Sequence, residues 1–271
     1  MSKVALVTGA SAGIGRATAA ALAKAGWTVV GASRRATAGE GWTALMMDVD
    51  DDTSVAEGVG SVLERHGRVD AVVTCAGWGV AGAVEQTPIG EAKAQLETNF
   101  WGSLRVVQAV LPVMRANRAG RIVFVSSIGG VVGLPFAAFY SASKFALEGL
   151  AEALAYEVGP LGIKVTLLQP GNVKSEFTDK RRVAAGAVAG REGASDPYSL
   201  PFAKALAFME RTERNGVPPQ KVAAAACRVL ASSRPPRRVS VGKASERVGL
   251  VAKRLLPFPL FQVGARSSLG L

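Results

Sequence analysis

Val4-Ala5-Leu6-Val7-Thr8-Gly9-Ala10-Ser11-Ala12-Gly13-Ile14-Gly15 stands almost at the start of the chain, and its reading decides the fold. Val4 to Val7 is a short, wholly apolar run, the pattern of a strand covered on both sides. The run breaks at Thr8-Gly9, and an Ala-rich segment with helical character follows over Gly13 to Ala25. Glycine lets a backbone turn tightly and approach a bound group closely, and the first N–H groups of a helix have no intrahelical acceptor. A pyrophosphate placed there gains hydrogen bonds and the favourable end of the helix dipole. A glycine-rich turn alone is weak evidence. This one joins the first strand to the first helix of a βαβ unit, the context that dinucleotide binding requires. Gly9, Ser11, Gly13, Ile14 and Gly15 are therefore the expected phosphate-binding residues.

Beyond this turn, short runs rich in Val, Ile and Leu alternate with longer Ala-rich segments. Further strands are expected at Thr28 to Gly31, Ala44 to Met47, Ala71 to Thr74, Ile122 to Ser126 and Lys164 to Leu168. Helices are expected at Thr53 to Arg65, in one long piece from about Pro88 to Ala116, and at Phe139 to Val158. The strands are continuous apolar runs and do not alternate with polar residues. That predicts the α/β class, a doubly wound parallel sheet with helices on both faces. After Pro170 the pattern loosens into Gly, Ala and Arg as far as Pro197, longer than a domain usually leaves unstructured without a task. A substrate lid over about 171–215 is expected. Two more helices, near Pro201 to Arg214 and Pro219 to Ser232, and a strand at Arg238 to Val241 would close one domain spanning 1–271.

Hydrophobic residues make up 49% of the 271 residues and charged ones 20%, which suits a buried core and excludes a disordered or collagen-like chain. The two cysteines, Cys75 and Cys227, fit no zinc or redox spacing. The single histidine, His66, argues against a Ser-His-Asp or metal mechanism, so no metal is expected. No secretory pattern precedes Val4, and every apolar stretch is interrupted before the about 18 residues of a membrane span. A cytoplasmic location is the expectation. The net charge of +11 is concentrated: residues 180–271 hold 17 Lys and Arg against 5 Asp and Glu, a surplus of 12. The basic extension at about 243–271 also carries Leu255, Leu256, Phe258, Leu260 and Phe261. Covering the core is the plainest expectation for it, with a subunit contact or an anionic membrane surface as alternatives. No nucleic-acid partner is expected.

The end of the second strand selects the dinucleotide. An acid there would accept hydrogen bonds from the adenosine ribose and repel a 2′-phosphate, but the chain reads Gly31-Ala32-Ser33-Arg34-Arg35. Ser33 and the forked donors of Arg34 favour NADP(H) over NAD. Asp48 and Val49, past the third strand, are placed to border the adenine, with a plain loop acid as the competing reading. Tyr140-Ser141-Ala142-Ser143-Lys144 puts a phenol and an ammonium four residues apart, on one helix face. An ammonium beside a phenol stabilises the phenolate and lowers its pKa, which makes Tyr140 a candidate general acid and base. Ser127 lies at the carboxyl end of a strand, where open α/β sheets bind ligands.

Taken together, the glycine turn, Cys75-Ala76-Gly77, Asn99, Ser127, the Tyr140/Lys144 pair and Pro170-Gly171 resemble the short-chain dehydrogenase/reductase family in order and spacing. The resemblance implies a Rossmann-type sheet of about seven strands. It assigns Tyr140 as proton donor or acceptor and Lys144 to the nicotinamide ribose and to the acidity of Tyr140. Ser127 would orient the reacting oxygen and Asn99 would anchor a water in a proton relay. Ala76, Gly77 and Val173 would line the cofactor, and a homodimer or homotetramer is implied. The family usually has Asn where this chain has Cys75, which bears on local hydrogen bonding. The stretch from Ser127 to Leu150 resembles the hydroxysteroid and retinol dehydrogenase-like branch. The apolar Gly129 to Phe136 segment, Phe139, Phe177, Leu200, Phe202 and Phe208 suit a lipophilic alcohol or ketone, steroid- or retinoid-like in size. The expectation is an NADP-dependent oxidoreductase. The rival is a non-catalytic dinucleotide-binding sensor or scaffold with a basic C-terminal interaction surface.

Overall fold

The strand β1 (Val4–Thr8) is buried at every position because helices cover both its faces. Val4 and Leu6 enter one hydrophobic core, and Ala5 and Val7 enter another. The computed structural model describes residues 2–189 and 196–269. After β1 come α1 (Gly13–Lys24), β2 (Thr28–Ser33), β3 (Thr43–Met46), α2 (Asp52–His66) and β4 (Ala71–Thr74). Then follow β5 (Val80–Ala81), α3 (Ile89–Leu96), α4 (Gly102–Ala116), β6 (Gly120–Val125), α5 (Ala138–Val158) and β7 (Ile163–Pro170). The chain continues through α6 (Phe177–Lys180), β8 (Arg182–Val183), α7 (Ala185–Ala189), α8 (Ser199–Arg214), α9 (Pro219–Ala231) and β9 (Arg238–Val241). It ends with α10 (Ala244–Leu255) and α11 (Phe258–Leu269).

Seven strands form one parallel sheet in the order β3-β2-β1-β4-β6-β7-β9. The apolar sides of α2, α4 and α5 pack on one face, and those of α1 and α9 on the other. The order runs outward from β1 to β3 and then reverses at β4, so a crevice opens at the carboxyl ends of β1 and β4. This is the doubly wound Rossmann-type sheet expected from the apolar runs. Local chemistry sets the element ends. The Asp51 carboxylate accepts from the Ser54 N–H at 2.6 Å to cap α2, and Gly67, at φ +69°, closes that helix in a left-handed conformation.

Four differences from the sequence expectation stand out. The third strand ends at Met46, one residue early, because Met47 turns its side chain into the core. The long helix is broken between α3 and α4 by a π-helical turn, Glu97–Trp101, which carries Asn99. The lid is more ordered than its composition foretold: β5 pairs with β8, and Val80, Ala81, Ala184, Ala187 and Phe202 form a third small core. Residues 190–195 of the expected lid lie outside the described residues. The tail does not cover the core, since neither α10 nor α11 has a buried residue among those described. Among the described residues, no helix is long and apolar enough to cross a membrane.

Candidate active site

The glycine turn closes against the end of β4. The Thr8 hydroxyl accepts the N–H groups of Cys75 (3.0 Å) and Ala76 (3.2 Å), tying the two strand ends together across the crevice. Gly9 sits at φ +65°, and a Cβ there would lie 2.9 Å from the Ala76 nitrogen. A Cβ on Gly15 would come 2.3 Å from the Gly9 carbonyl oxygen. Both positions need glycine for space, which is the physical content of the sequence motif. The start of α1 lacks a side-chain cap. The Glu176 carboxylate fills that role, accepting from the Gly13 N–H at 3.1 Å and from the Arg16 guanidinium at 3.3 Å. Its own backbone N–H, the Arg16 charge and the Gly13 N–H hold this carboxyl below its usual range, against partial burial. The turn therefore accepts an anion, and its donors fit the phosphates of a dinucleotide.

Ser33 ends β2 with its hydroxyl donating to the Arg35 carbonyl at 2.5 Å, and Arg34 is exposed beside it. Burial pushes the Asp50 carboxyl up, and the nearby Arg34 charge opposes that. The Asp48 carboxylate accepts from the Asp50 N–H at 3.1 Å, while the Asp48 N–H donates to the Ser54 hydroxyl at 2.9 Å. Val49 is buried against Gly102, so its side chain belongs to the core. Gly77 lies under Asn99: a Cβ there would meet the Asn99 side-chain oxygen at 3.0 Å. Val173, past Pro170-Gly171, is buried and bridges to Val217.

Ser127 lies two residues past the end of β6, with its hydroxyl accepting the Gly129 N–H at 3.0 Å. Asn99, fully buried in the π-helical turn, accepts from the Trp78 N–H and donates to the Trp78 carbonyl and to the Ser143 hydroxyl, each at 3.0 Å. Such turns expose backbone and side chains that a regular helix would hide, and they recur at functional sites. Lys144 is buried in α5 and donates from Nζ to the Val125 carbonyl at 2.9 Å, 5.9 Å from the centre of the Tyr140 ring. Burial lowers its pKa to about 8. The expected effect of Lys144 on Tyr140 is not the dominant one here, because the ammonium is turned to Val125. Burial raises the Tyr140 phenol above its ordinary value; hydrogen bonding with Ser127 and the Arg181 charge oppose this, and Glu213 reinforces it. Tyr140 is therefore protonated at neutral pH, poised as a donor. Burial pushes the Cys75 thiol up to about 12, so it is no nucleophile.

The segment after β7 packs against this constellation. The Phe177 ring meets the Tyr140 ring edge-on, with centroids 5.7 Å apart, and rests on Gly79. Phe136 packs on buried Phe202 at 5.6 Å. Leu200 faces outward, 66% exposed, and Phe208 borders a separate groove near Asn172, so neither joins Phe177 at Tyr140. Behind Phe177, buried Arg181 pairs with Glu213, which also accepts from the Thr178 hydroxyl at 2.7 Å. Glu176, Arg181 and Glu213 escaped the sequence reading. Their partners lie far along the chain, and no local spacing marks them.

The profile of the family described as short chain dehydrogenase matches residues 3–185. The chain belongs to the short-chain dehydrogenase/reductase family and is an oxidoreductase for CH–OH/C=O groups that uses a nicotinamide dinucleotide. It is 40% identical over 265 residues to a 3-ketodihydrosphingosine reductase of Bacteroides thetaiotaomicron, covering 97% of each chain. It is 36% identical over 252 residues to human retinol dehydrogenase 8, covering 86% of this chain and 79% of the relative. A solved short-chain dehydrogenase from Streptomyces avermitilis superposes with a TM-score of 0.82 at 32% identity, over 98% of this chain and 94% of that one.

Proposed function

We propose that the protein is an NADP(H)-dependent reductase of a lipophilic ketone, with 3-ketodihydrosphingosine the first substrate to try. The observation that carries this reading is geometric: the Tyr140 phenol is hydrogen-bonded with Ser127, and the Phe177 ring meets it edge-on at 5.7 Å. Similarity to the sphingoid-base reductase along the whole chain supports the substrate class, and the acid-free Ser33-Arg34 pair supports the phosphorylated cofactor.

Ser127 and Tyr140 hydrogen-bond the carbonyl oxygen and polarise it. NADPH, when bound, supplies the hydride to the carbonyl carbon. As negative charge grows on the oxygen, Tyr140 donates its hydroxyl proton to it. Lys144 would hold the nicotinamide ribose, the glycine turn the diphosphate, and Asn99 keeps the Trp78 backbone in register beside them. Phe177 excludes water from the phenol. The sensor or scaffold alternative has no support from the site, where phenol, hydroxyl and ammonium are all intact.

NADPH consumption followed by absorbance across 3-ketodihydrosphingosine, retinoids, steroids and aromatic ketones tests the assignment. Tyr140→Phe should lower kcat by about 10²- to 10⁴-fold with NADPH affinity retained. Full turnover in that variant would remove Tyr140 from the chemistry. Activity confined to small hydrophilic ketones would remove the lipid substrate.

A further inference from the structure

The last two helices are held in place from one side and leave an ordered apolar surface on the other. On α10, Glu246 faces inward, its carboxylate accepting from the Asn172 N–H (2.9 Å), the Asn172 side-chain amide (2.7 Å) and the Lys243 N–H (2.7 Å). Lys253 lies over the rings of Phe258 at 4.4 Å and Phe261 at 5.2 Å, linking the two helices. The outward side carries Val248, Val251 and Leu255, spaced i, i+3 and i+7 and 66%, 54% and 76% exposed. Exposed Arg247 and Arg254 border this stripe. On α11, which touches α8 of the lid, Phe258, Leu260 and Val263 are exposed as well.

We propose that α10 and α11 form a docking face for an anionic lipid bilayer. Val248, Val251, Leu255, Phe258, Leu260 and Val263, all exposed on two successive helices, are more than the scattered single apolar residues of an ordinary soluble surface. Charge identifies the occupant. Residues 243–271 hold five Lys and Arg against one acid, Glu246, and that acid is turned inward. The outer rim is positive, matching lipid phosphates, while the Val and Leu side chains reach the acyl boundary. A second copy on a two-fold axis would set one arginine rim against another. A nucleic acid would leave the apolar stripe without a partner. The face lies on a membrane surface and does not span the bilayer. It would bring the lid to where a lipid substrate is dissolved. Docking itself does not depend on the substrate assignment, because vesicle binding is read without turnover.

The test is co-sedimentation of the full chain with phosphatidylcholine vesicles, with and without about 30% phosphatidylglycerol, at low ionic strength. We expect at least about 10-fold more protein on the anionic vesicles, falling several-fold at about 0.5 M salt. The triple variant Val248→Glu, Val251→Glu, Leu255→Glu should stay in the supernatant while keeping the wild-type thermal midpoint, since all three positions are exposed. Arg247→Gln with Arg254→Gln should weaken binding while leaving the apolar stripe intact. Equal sedimentation on neutral and anionic vesicles, or undiminished binding by the triple variant, would overturn the proposal. So would vesicle-free self-association that the triple variant abolishes, which would give the face to a second copy.

Discussion

In the proposed NADP(H) reading Arg34, exposed just past β2, is the residue that would choose the dinucleotide. Its charge-assisted bonds to a 2′-phosphate would disappear in Arg34→Ala. NADPH affinity should then fall about 10- to 100-fold with NADH nearly unchanged, as titration by fluorescence would read. Lys144 carries a penalty for its burial. Its ordinary value of 10.5 falls to about 8 in the fold. Between those pH values the unfolded chain holds a proton that the folded one has released, so stability rises with pH across that window. Below about 8 both states are protonated and the full cost, on the order of 3 kcal/mol, is present. Lys144→Met removes that dependence. In urea unfolding without dinucleotide, the difference between variant and wild type should shift in favour of wild type from pH 8 to 10.5. A difference constant with pH would show that Lys144 does not titrate there.

Among the elements, the start of α1 and the segment around α6 act on each other. The Glu176 carboxylate lies on the Gly13 N–H, and if the glycine turn holds the diphosphate as proposed, cofactor and carboxylate would compete for that donor. Glu176→Gln removes the charge and keeps the side chain's length. It should tighten NADPH about 3- to 10-fold, the effect of roughly 1 kcal/mol, as calorimetry would measure. The two sides of this contact differ in how legible they were. The glycine turn could be read because much of its constraint is local: Gly15 faces the Gly9 carbonyl inside the turn, and Gly9 holds a left-handed φ of +65°, although it also abuts Ala76 across the crevice. Glu176 could not, since it meets Gly13 across 163 residues and a carboxylate on a polar segment has no distinguishing spacing. The π-helical turn at Asn99 was hidden for a related reason. One inserted residue barely alters apolar periodicity over so long a helical stretch, and only the hydrogen bonds to Trp78 betray it.

Across the whole molecule, the parallel sheet was legible because burial on both faces demands nearly continuous apolar runs, as in β1 and β4. The tail misled because Leu255 and Phe258 resemble core residues in composition, and only the orientation of α10 and α11 shows them facing out. The carboxyl ends of the sheet also bring both halves of the reaction under one short stretch, Ser175 to Phe177. Ser175 lies against Gly13, Glu176 binds its N–H, and the next residue, Phe177, sits on Tyr140. A dinucleotide that displaced the Glu176 carboxylate from Gly13 would pull on the residue next to Phe177, and the expected outcome is that the cofactor binds before the ketone. In initial-rate experiments NADP should compete with NADPH, and the product alcohol should not.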